Sequence, residues 1–340
     1  MITTQTAPPS VAQPATTRRL SGFKPTGRLQ LGNYLGAIRP MVDSQRDHEP
    51  IVMIANLHAL TVEHDPDRLR EHTTRMLATL LAAGVDTART TCYLQSDVPE
   101  HAELHYLLEC ATGYGEAARM IQFKEKSRGN ATVRLSLLTY PVLMAADVLL
   151  HDTDEVPVGD DQTQHLELAR DVANRFNTRY GRTFVVPRGV TPAVAARVMD
   201  LADPRSKMGK TATTDGGVIF LLDPADVIAR KVARAVTDPA PDVAYDPDRR
   251  PGAANLLEIL AALRPGTTPA GLAGEFSSYR QLKDEVAEAL VETLRPLRAR
   301  YDALMADHGH LEHVRRSGAA AARERAARTV ARAKDAIGIP

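Results

Sequence analysis

Two stretches of this 340-residue chain carry the residue types that polyphosphate chemistry requires. The first, Ser21-Gly22-Phe23-Lys24-Pro25-Thr26-Gly27-Arg28-Leu29-Gln30-Leu31-Gly32-Asn33-Tyr34, reads as the end of a short strand, a stiff glycine and proline turn, and a helix opening near Gly32-Asn33. Such a layout aims exposed backbone N–H groups and the positive end of a helix dipole at a ligand above the turn, and Gly32 lets that ligand approach the main chain. Taken alone, it fits an ordinary strand-to-helix connection equally well. The second stretch, Asp203-Pro204-Arg205-Ser206-Lys207-Met208-Gly209-Lys210-Thr211, sets two lysines around a pliable Met-Gly pair. Mobile ammonium groups of this kind stabilise charge on a departing pyrophosphate, although lysine-rich loops are also common on solvated surfaces. A third feature is Asp147, a carboxylate inside the apolar run Leu143–Leu150. A buried charge needs a donor. Tyr140, Met144 and Asp147 fall on one helical face, with Pro141 placing Tyr140 just before the first turn.

The elements that position these residues follow from the apolar pattern. Ile51-Val52-Met53-Ile54-Ala55 is a short, continuous apolar run, as expected of a parallel strand covered on both faces, and it leads into Asn56-Leu57-His58-Ala59-Leu60. Asp65 then caps a helix with Pro66 at its first position and Leu69, Met76, Leu77, Leu80 and Leu81 facing inward, ended by Gly84. Thr91–Gln95 is the next strand. This rhythm predicts βαβ units and a doubly wound parallel sheet, with ligands at the carboxyl ends of the strands. Helices are predicted over Ala102–Ala111, Glu116–Lys126 and the run ending at Leu150. Val156-Pro157-Val158-Gly159-Asp160-Asp161-Gln162 reads as a strand, a glycine turn and the start of a helix over Gln164–Tyr180. The two aspartates are good caps, and their place after a strand on the ligand side favours a substrate role. Phe184-Val185-Val186 and Ala196–Met199 are short strand candidates. Beyond the cap Asp223-Pro224 the chain reads as helix to its end, with an apolar stripe of Leu282, Val286, Leu290, Leu294, Leu297 and Tyr301. The last helix carries Arg315, Arg316, Arg323, Arg325, Arg328, Arg332 and Lys334, a pattern that suits a solvated face at least as well as RNA contact.

Composition limits the classes. Apolar residues make up 44% of the chain, enough for an ordinary core, and 42 basic residues balance 42 acidic ones. Any nucleic-acid contact must therefore come from a local patch. Two cysteines, Cys92 and Cys110, show no metal-ligand spacing and suit a reducing compartment. Residues 1–18, rich in Thr, Ala and Pro, are predicted to form a disordered tail without a signal-peptide core. No later apolar run nears the roughly 20 residues that span a bilayer, so a cytoplasmic location is expected.

Together, Gln30-Leu31-Gly32-Asn33 and Lys207-Met208-Gly209-Lys210-Thr211 resemble the paired signatures of class I aminoacyl-tRNA synthetases. Gln122-Phe123-Lys124-Glu125-Lys126-Ser127, Leu138-Thr139-Tyr140-Pro141, Met144-Ala145-Ala146-Asp147 and Val156-Pro157-Val158-Gly159 narrow the resemblance to the bacterial tryptophanyl-tRNA synthetase family, from Leu20 to the C-terminus. The tyrosine-specific sister enzymes and a non-catalytic regulatory protein on the same scaffold are the competing readings. The resemblance implies an α/β fold of Rossmann type with an α-helical C-terminal domain: a catalytic domain over 19–222, an inserted helical dimer-interface segment at about 100–150, a lysine loop at 203–214, an anticodon-binding domain over 223–340, and a homodimer. By matching position it places ATP against Lys24, Pro25, Thr26, Gly32, Asn33, Gly159, Asp160, Asp161, Val198, Lys207, Met208, Gly209, Lys210 and Thr211. It gives Lys126, Lys207 and Lys210 the catalytic charges. Tryptophan would lie among Leu20, His58, Tyr140, Met144, Val156, Val158 and Gln162, with its indole N–H donated to Asp147. The partners implied are tRNA(Trp), L-tryptophan and ATP. Mg2+ would arrive on ATP, with no protein metal site. Lys24 and Leu57 stand where the family usually has Gln, and Gly209 and Thr211 where it has Ser. Lys24 and Leu57 suggest a variant that resists tryptophan-like inhibitors.

Overall fold

A computed structural model describes residues 16–128, 132–159, 162–190, 198–209 and 215–340. Its centre is a five-stranded sheet of order β3-β2-β1-β4-β5, parallel throughout: β1 (Arg18–Phe23), β2 (Glu49–Ile54), β3 (Thr91–Leu94), β4 (Glu155–Pro157) and β5 (Arg188–Val190). The apolar run in β2 behaves as expected. Val52 and Ile54 enter one core and Ile51 and Met53 the other, because alternate side chains leave a strand on opposite faces. Arg18, inside the stretch expected to be tail, opens β1 and pairs with Glu49 at 3.0 Å.

Thirteen α-helices are present among the described residues. After β1 come α1 (Leu31–Asn33), a π-helical turn at Tyr34–Ile38 and α2 (Arg39–Asp43), which read as one continuous helical stretch. Between β2 and β3 lies α3 (Pro66–Ala82), capped as expected by Asp65 accepting from the Arg68 N–H at 2.9 Å. Beyond β3 run α4 (Glu100–Glu109), α5 (Tyr114–Arg119), α6 (Ile121–Ser127) and α7 (Leu135–Leu149). The single helix expected over Glu116–Lys126 is two, because Met120 leaves the helical region at ψ 131°. Pro141 does not set the start of α7. The helix begins at Leu135 and contains Tyr140 as well as the proline.

After β4, α8 (Thr163–Tyr180) covers the sheet. Phe184–Val186 is not a strand. Asn177 Oδ1 takes the N–H groups of Thr183 and Phe184, each at 2.9 Å, and Phe184 turns inward against Phe176, so pairing passes to Arg188–Val190. Met199 makes only an isolated antiparallel bridge to Lys207, and residues 196–197 lie outside the described set. α9 (Ala225–Ala233) is not capped by Asp223, whose carboxylate instead accepts from the Phe220 N–H and from Lys231 Nζ.

The remaining helices are α10 (Pro251–Leu263), α11 (Pro269–Ala273), α12 (Tyr279–Ala306) and α13 (His308–Ile337). The α12 stripe Leu282, Val286, Leu290, Leu294 and Leu297 is buried, in a core continuous with one face of the sheet. α13 returns to the sheet and adds Ala322, Ala326, Val330 and Ala333 to the second core. It lies directly on β3, since a Cβ at Gly318 would stand 1.7 Å from the Cys92 carbonyl oxygen. The arginines on this helix are mostly engaged by protein carboxylates. Arg315 holds Asp97, Arg325 holds Glu49 and Arg332 holds Asp152.

Candidate active site

Four parallel strands deliver the candidate residues at their carboxyl ends. β1 runs into Lys24-Pro25-Thr26, β2 into the 3-10 turn Leu57–Thr61 that carries His58, β3 into the 3-10 turn Gln95–Asp97, and β4 into Val158-Gly159. The strand order reverses between β1 and β4, so these ends open at the topological switch point, where open parallel sheets bind ligands. Gly27, at φ +90°, supplies the backbone conformation that turns the chain back after β1.

Asp147 is the chemical centre. It is 2% exposed on α7, and the protein itself already supplies part of what a buried charge needs. Gln95 Nε2 donates to Oδ1 at 2.7 Å and His58 Nε2 donates to Oδ2 at 2.8 Å. His101 Nδ1 stands 2.7 Å from Oδ1, at ion-pair distance but off the hydrogen-bonding axis. Burial alone would raise the Asp147 pKa, but contact with His101 and His58 outweighs it and holds the carboxyl well below the usual range. A carboxylate offers about four lone-pair positions, so with Gln95 and His58 bound and His101 crowding Oδ1, Oδ2 retains room for one more donor.

Behind Asp147 lies a buried chain. Tyr93 Oη meets His101 Nε2 at 3.0 Å and His151 Nε2 at 2.7 Å. Burial, aided by His101, keeps His151 well below its ordinary pKa, and burial pushes the Tyr93 phenol well up. This chain fixes the ring of His101 against the carboxylate.

The walls come together as expected in part. The Tyr140 ring packs edge-on to His58 at 6.1 Å between centroids, and its hydroxyl meets His165 Nε2 at 2.9 Å. Burial raises its pKa to about 12. Met144 is half-buried one turn along the same helix. Leu20 and Val156 belong to the same core as the α7 residues, and Val158 packs against it. Gln162 immediately precedes α8. Lys126 at the end of α6 holds Nζ 5.9 Å from the Tyr140 ring centroid, which brings a cation to this wall.

On the nucleotide side, one expectation is overturned. The N–H groups at the helix start are not open: Leu31 N–H bonds to the Ile219 carbonyl at 2.8 Å, Gly32 N–H to Gln30 Oε1, and Asn33 N–H to the Gln30 carbonyl at 2.9 Å. Asn33 Oδ1 accepts from the Gln30 N–H at 3.1 Å, closing a reciprocal cap. Gln30 caps the helix with Oε1 and reaches further with Nε2, which donates to the Met208 carbonyl at 2.8 Å. The first signature is thus tied to the lysine loop. Met208 is buried, its N–H bonded to the Val198 carbonyl at 3.0 Å, while Lys207 is exposed. Pro25 is buried and the Thr26 N–H bonds to the Lys24 carbonyl at 2.8 Å. Lys24 Nζ donates to Thr61 Oγ1 at 3.2 Å, linking the β1 turn to the His58 turn. Gly159 is exposed and Gly209 half-exposed. Asp160, Asp161, Lys210 and Thr211 lie outside the described residues.

Sequence reasoning missed Gln30 as a tether and Gln95, Tyr93, His101 and His151 as the surroundings of Asp147. The available signal was polar side chains within otherwise apolar buried elements, since such groups are retained only with partners. Among the described residues no three His, Cys, Asp or Glu side chains form a metal cage, and no helix is long and apolar enough to cross a membrane.

A parallel sheet that opens at its switch point beside a buried carboxylate, an aromatic wall and a loop tethered through Gln30 and Met208 defines a Rossmann-type α/β protein with its candidate site at the carboxyl ends of the strands. Residues 14–295 match the family described as class I tRNA synthetases (W and Y), and the chain belongs to that family. It is 57% identical over 330 residues to tryptophan–tRNA ligase 1 of Streptomyces coelicolor, covering 95% of this chain and 97% of that one. Among solved structures, tryptophanyl-tRNA synthetase from Mycoplasma pneumoniae matches with a TM-score of 0.87 and 34% identity, over 96% of this chain and 98% of that one. The Campylobacter jejuni enzyme, complexed with ADP and tryptophan, matches with a TM-score of 0.82 and 30% identity, over 95% of this chain and all of that one.

Proposed function

We propose that this protein is a tryptophan–tRNA ligase. The tryptophan carboxylate attacks the α-phosphorus of ATP in line, pyrophosphate leaves, and a ribose hydroxyl at the 3′ end of tRNA(Trp) then takes the acyl group as AMP departs. The observation that carries the amino-acid assignment is Asp147, a buried carboxylate with room on Oδ2 for one more donor beside His58 and the Tyr140 ring. An indole N–H fits that position, and Tyr140 and Met144 give the ring an aromatic and polarisable wall.

No side chain acts as a nucleophile in this reaction. The protein supplies position and charge. Lys207, Lys210 and Lys126 carry the charge for the leaving pyrophosphate, with Gln30 and Met208 fixing where the loop starts. ATP lies against Lys24, Pro25, Thr26, Gly32, Asn33, Gly159 and the Asp160-Asp161 pair. Mg2+ carried on ATP would further neutralise the phosphates. Since the Gly32 N–H is held by Gln30 Oε1, a phosphate reaching it must displace that amide.

The protein works as a cytoplasmic homodimer. Support for the dimer is the concentration of exposed apolar side chains in the turn after β2 and over α4–α7: Leu60, Val62, Tyr106, Tyr114 (76% exposed), Ile121 and Leu135 (73% exposed). Arg134 Nη1, just before α7, donates to the Leu60 carbonyl at 3.3 Å and so brings Leu60 close to the start of that helix. Sedimentation at the mass of two chains, reduced to one by Leu135→Asp, is the expected result. A helical anticodon-binding role for 223–340 belongs to the same proposal. So does a contribution from Lys24, whose ammonium would favour the carboxylate of tryptophan over a neutral mimic. The inhibition constant of such a mimic should fall in Lys24→Gln.

The experiment for the activity is ATP–pyrophosphate exchange with each amino acid in turn. Tryptophan alone should support it. Exchange supported equally by tyrosine would overturn the assignment, and none with any amino acid would favour a non-catalytic scaffold.

A further inference from the structure

One ion pair of the C-terminal helix closes on the turn after β3 that carries Gln95, a direct partner of Asp147. Arg315 on α13 grips Asp97 with two bonds, Nε to Oδ2 at 2.6 Å and Nη2 to Oδ1 at 2.9 Å. Parallel, charge-assisted bonds of this kind fix orientation as well as distance. The pair raises the Arg315 pKa above its already high ordinary value, chiefly through the bond to Asp97.

Asp97 closes the short 3-10 turn that begins with Gln95. Gln95 is fully buried, and its amide serves two parts of the pocket at once. Nε2 donates to Asp147 Oδ1 at 2.7 Å, and Oε1 accepts from the Leu57 N–H at 3.0 Å, at the start of the turn that carries His58. Between them, Ser96 and Asn56 bond reciprocally, at 2.7 Å and 3.0 Å. Two of the three neighbours of Asp147, Gln95 and His58, are therefore tied to the turn that Arg315 clamps, while His101 is held by Tyr93. A second observation fixes the clamp itself. Gly318 lies three residues on from Arg315, on the same side of α13, and rests against the backbone of Cys92, so the helix cannot slide on β3 without breaking that contact.

We infer that Arg315 is a positioning residue for amino-acid recognition: through Asp97 and Gln95 it sets the orientation of Asp147 and His58, and thereby couples the C-terminal helix to the tryptophan pocket. The inference rests on the proposed role of Asp147. By linkage the coupling is reciprocal, so tryptophan binding stiffens α13 as α13 orders the pocket.

The test is steady-state ATP–pyrophosphate exchange on the full-length protein and on Arg315→Ala, Asp97→Asn and the control Arg316→Ala, whose arginine bonds only to Glu312 on its own helix. Arg315→Ala and Asp97→Asn should each raise the tryptophan KM by about fivefold to tenfold, the scale of a coupling contact, with the ATP KM unchanged. The double variant should match either single one, and Arg316→Ala should match wild type. Amide hydrogen exchange across 312–320 should slow on adding tryptophan in the wild type and not in Arg315→Ala. Unchanged tryptophan KM in both single variants, or an equal rise in the ATP KM, would overturn the inference. If Arg315→Ala does not fold, Asp97→Asn, which keeps the side-chain shape, decides it. Absence of tryptophan-dependent exchange in the wild type would instead defeat the functional reading beneath it, whereas a normal wild type with indifferent variants defeats only the clamp.

Discussion

Replacing Asp147 by Asn changes no more than one atom and a charge, yet the surroundings of this residue make the consequence large and specific. Oδ1 faces the Gln95 amide and His101, and Oδ2 faces His58 and the proposed indole. Asn has one oxygen for the three donors, Gln95, His58 and the indole. If the oxygen stays toward Gln95, the amide NH2 confronts His58 Nε2 and the indole N–H. Losing the charge-assisted bond to the indole removes ~1.5–3 kcal/mol, and leaving its N–H buried and unpaired adds ~1–3 kcal/mol. Because such terms overlap, a fall of about two to three powers of ten in kcat/KM for tryptophan is expected. Binding of ATP, which meets other residues, should change by less than about threefold. Exchange kinetics with each substrate varied in turn measure both quantities. A variant that keeps tryptophan kcat/KM within threefold of wild type, or loses ATP affinity to the same extent, would refute the reasoning.

Other consequences are open to direct measurement. Asp147 has a depressed folded-state pKa, so its ionised form contributes stability that is fully present above the ordinary carboxylate value of 3.8 and is lost as pH falls below it. Chemical unfolding of the wild type should therefore weaken more steeply below about pH 4 than that of Asp147→Asn, and parallel acid limbs would contradict the pairing. Gly318→Ala places a methyl group 1.7 Å from the Cys92 carbonyl and must push α13 off β3, so a loss of ~1–3 kcal/mol or more in unfolding free energy is expected. A midpoint equal to wild type would show that the helix has room. Lys210→Ala should slow tryptophan activation by about two to three powers of ten with little change in tryptophan KM, as befits a charge needed mainly while pyrophosphate leaves. Equal losses in both parameters would make the lysine loop structural.

The parallel sheet was legible because β2 is apolar on both faces, which a strand buried between two layers requires. β5 was not, since Arg188–Val190 is short and largely exposed, and its pairing to β4 is a tertiary choice made once Phe184 is drawn into the core. Asp147 announced itself as a carboxylate in an apolar helix. Its partners were visible only as polar residues in apolar elements, because Gln95 and His101 come from segments distant in sequence and only the fold brings them to Asp147. The arginines of α13 were visible as charge, but their docking on Asp97, Glu49 and Asp152 depends on the helix folding back across the sheet, which periodicity cannot express. At the first signature, the motif was evident while the state of its N–H groups was not, since the Gln30 side chain fills a role that backbone spacing leaves open.

The claim that Asp147 selects tryptophan through the indole N–H is tested most directly with the benzothiophene analogue of tryptophan, which carries sulfur in place of that N–H at nearly the same volume. Pyrophosphate exchange supported by the two compounds should differ in kcat/KM by about ten- to a hundredfold, the worth of one charge-assisted hydrogen bond to an oxygen that keeps His58 as its other donor. Values within about threefold of each other would contradict the account.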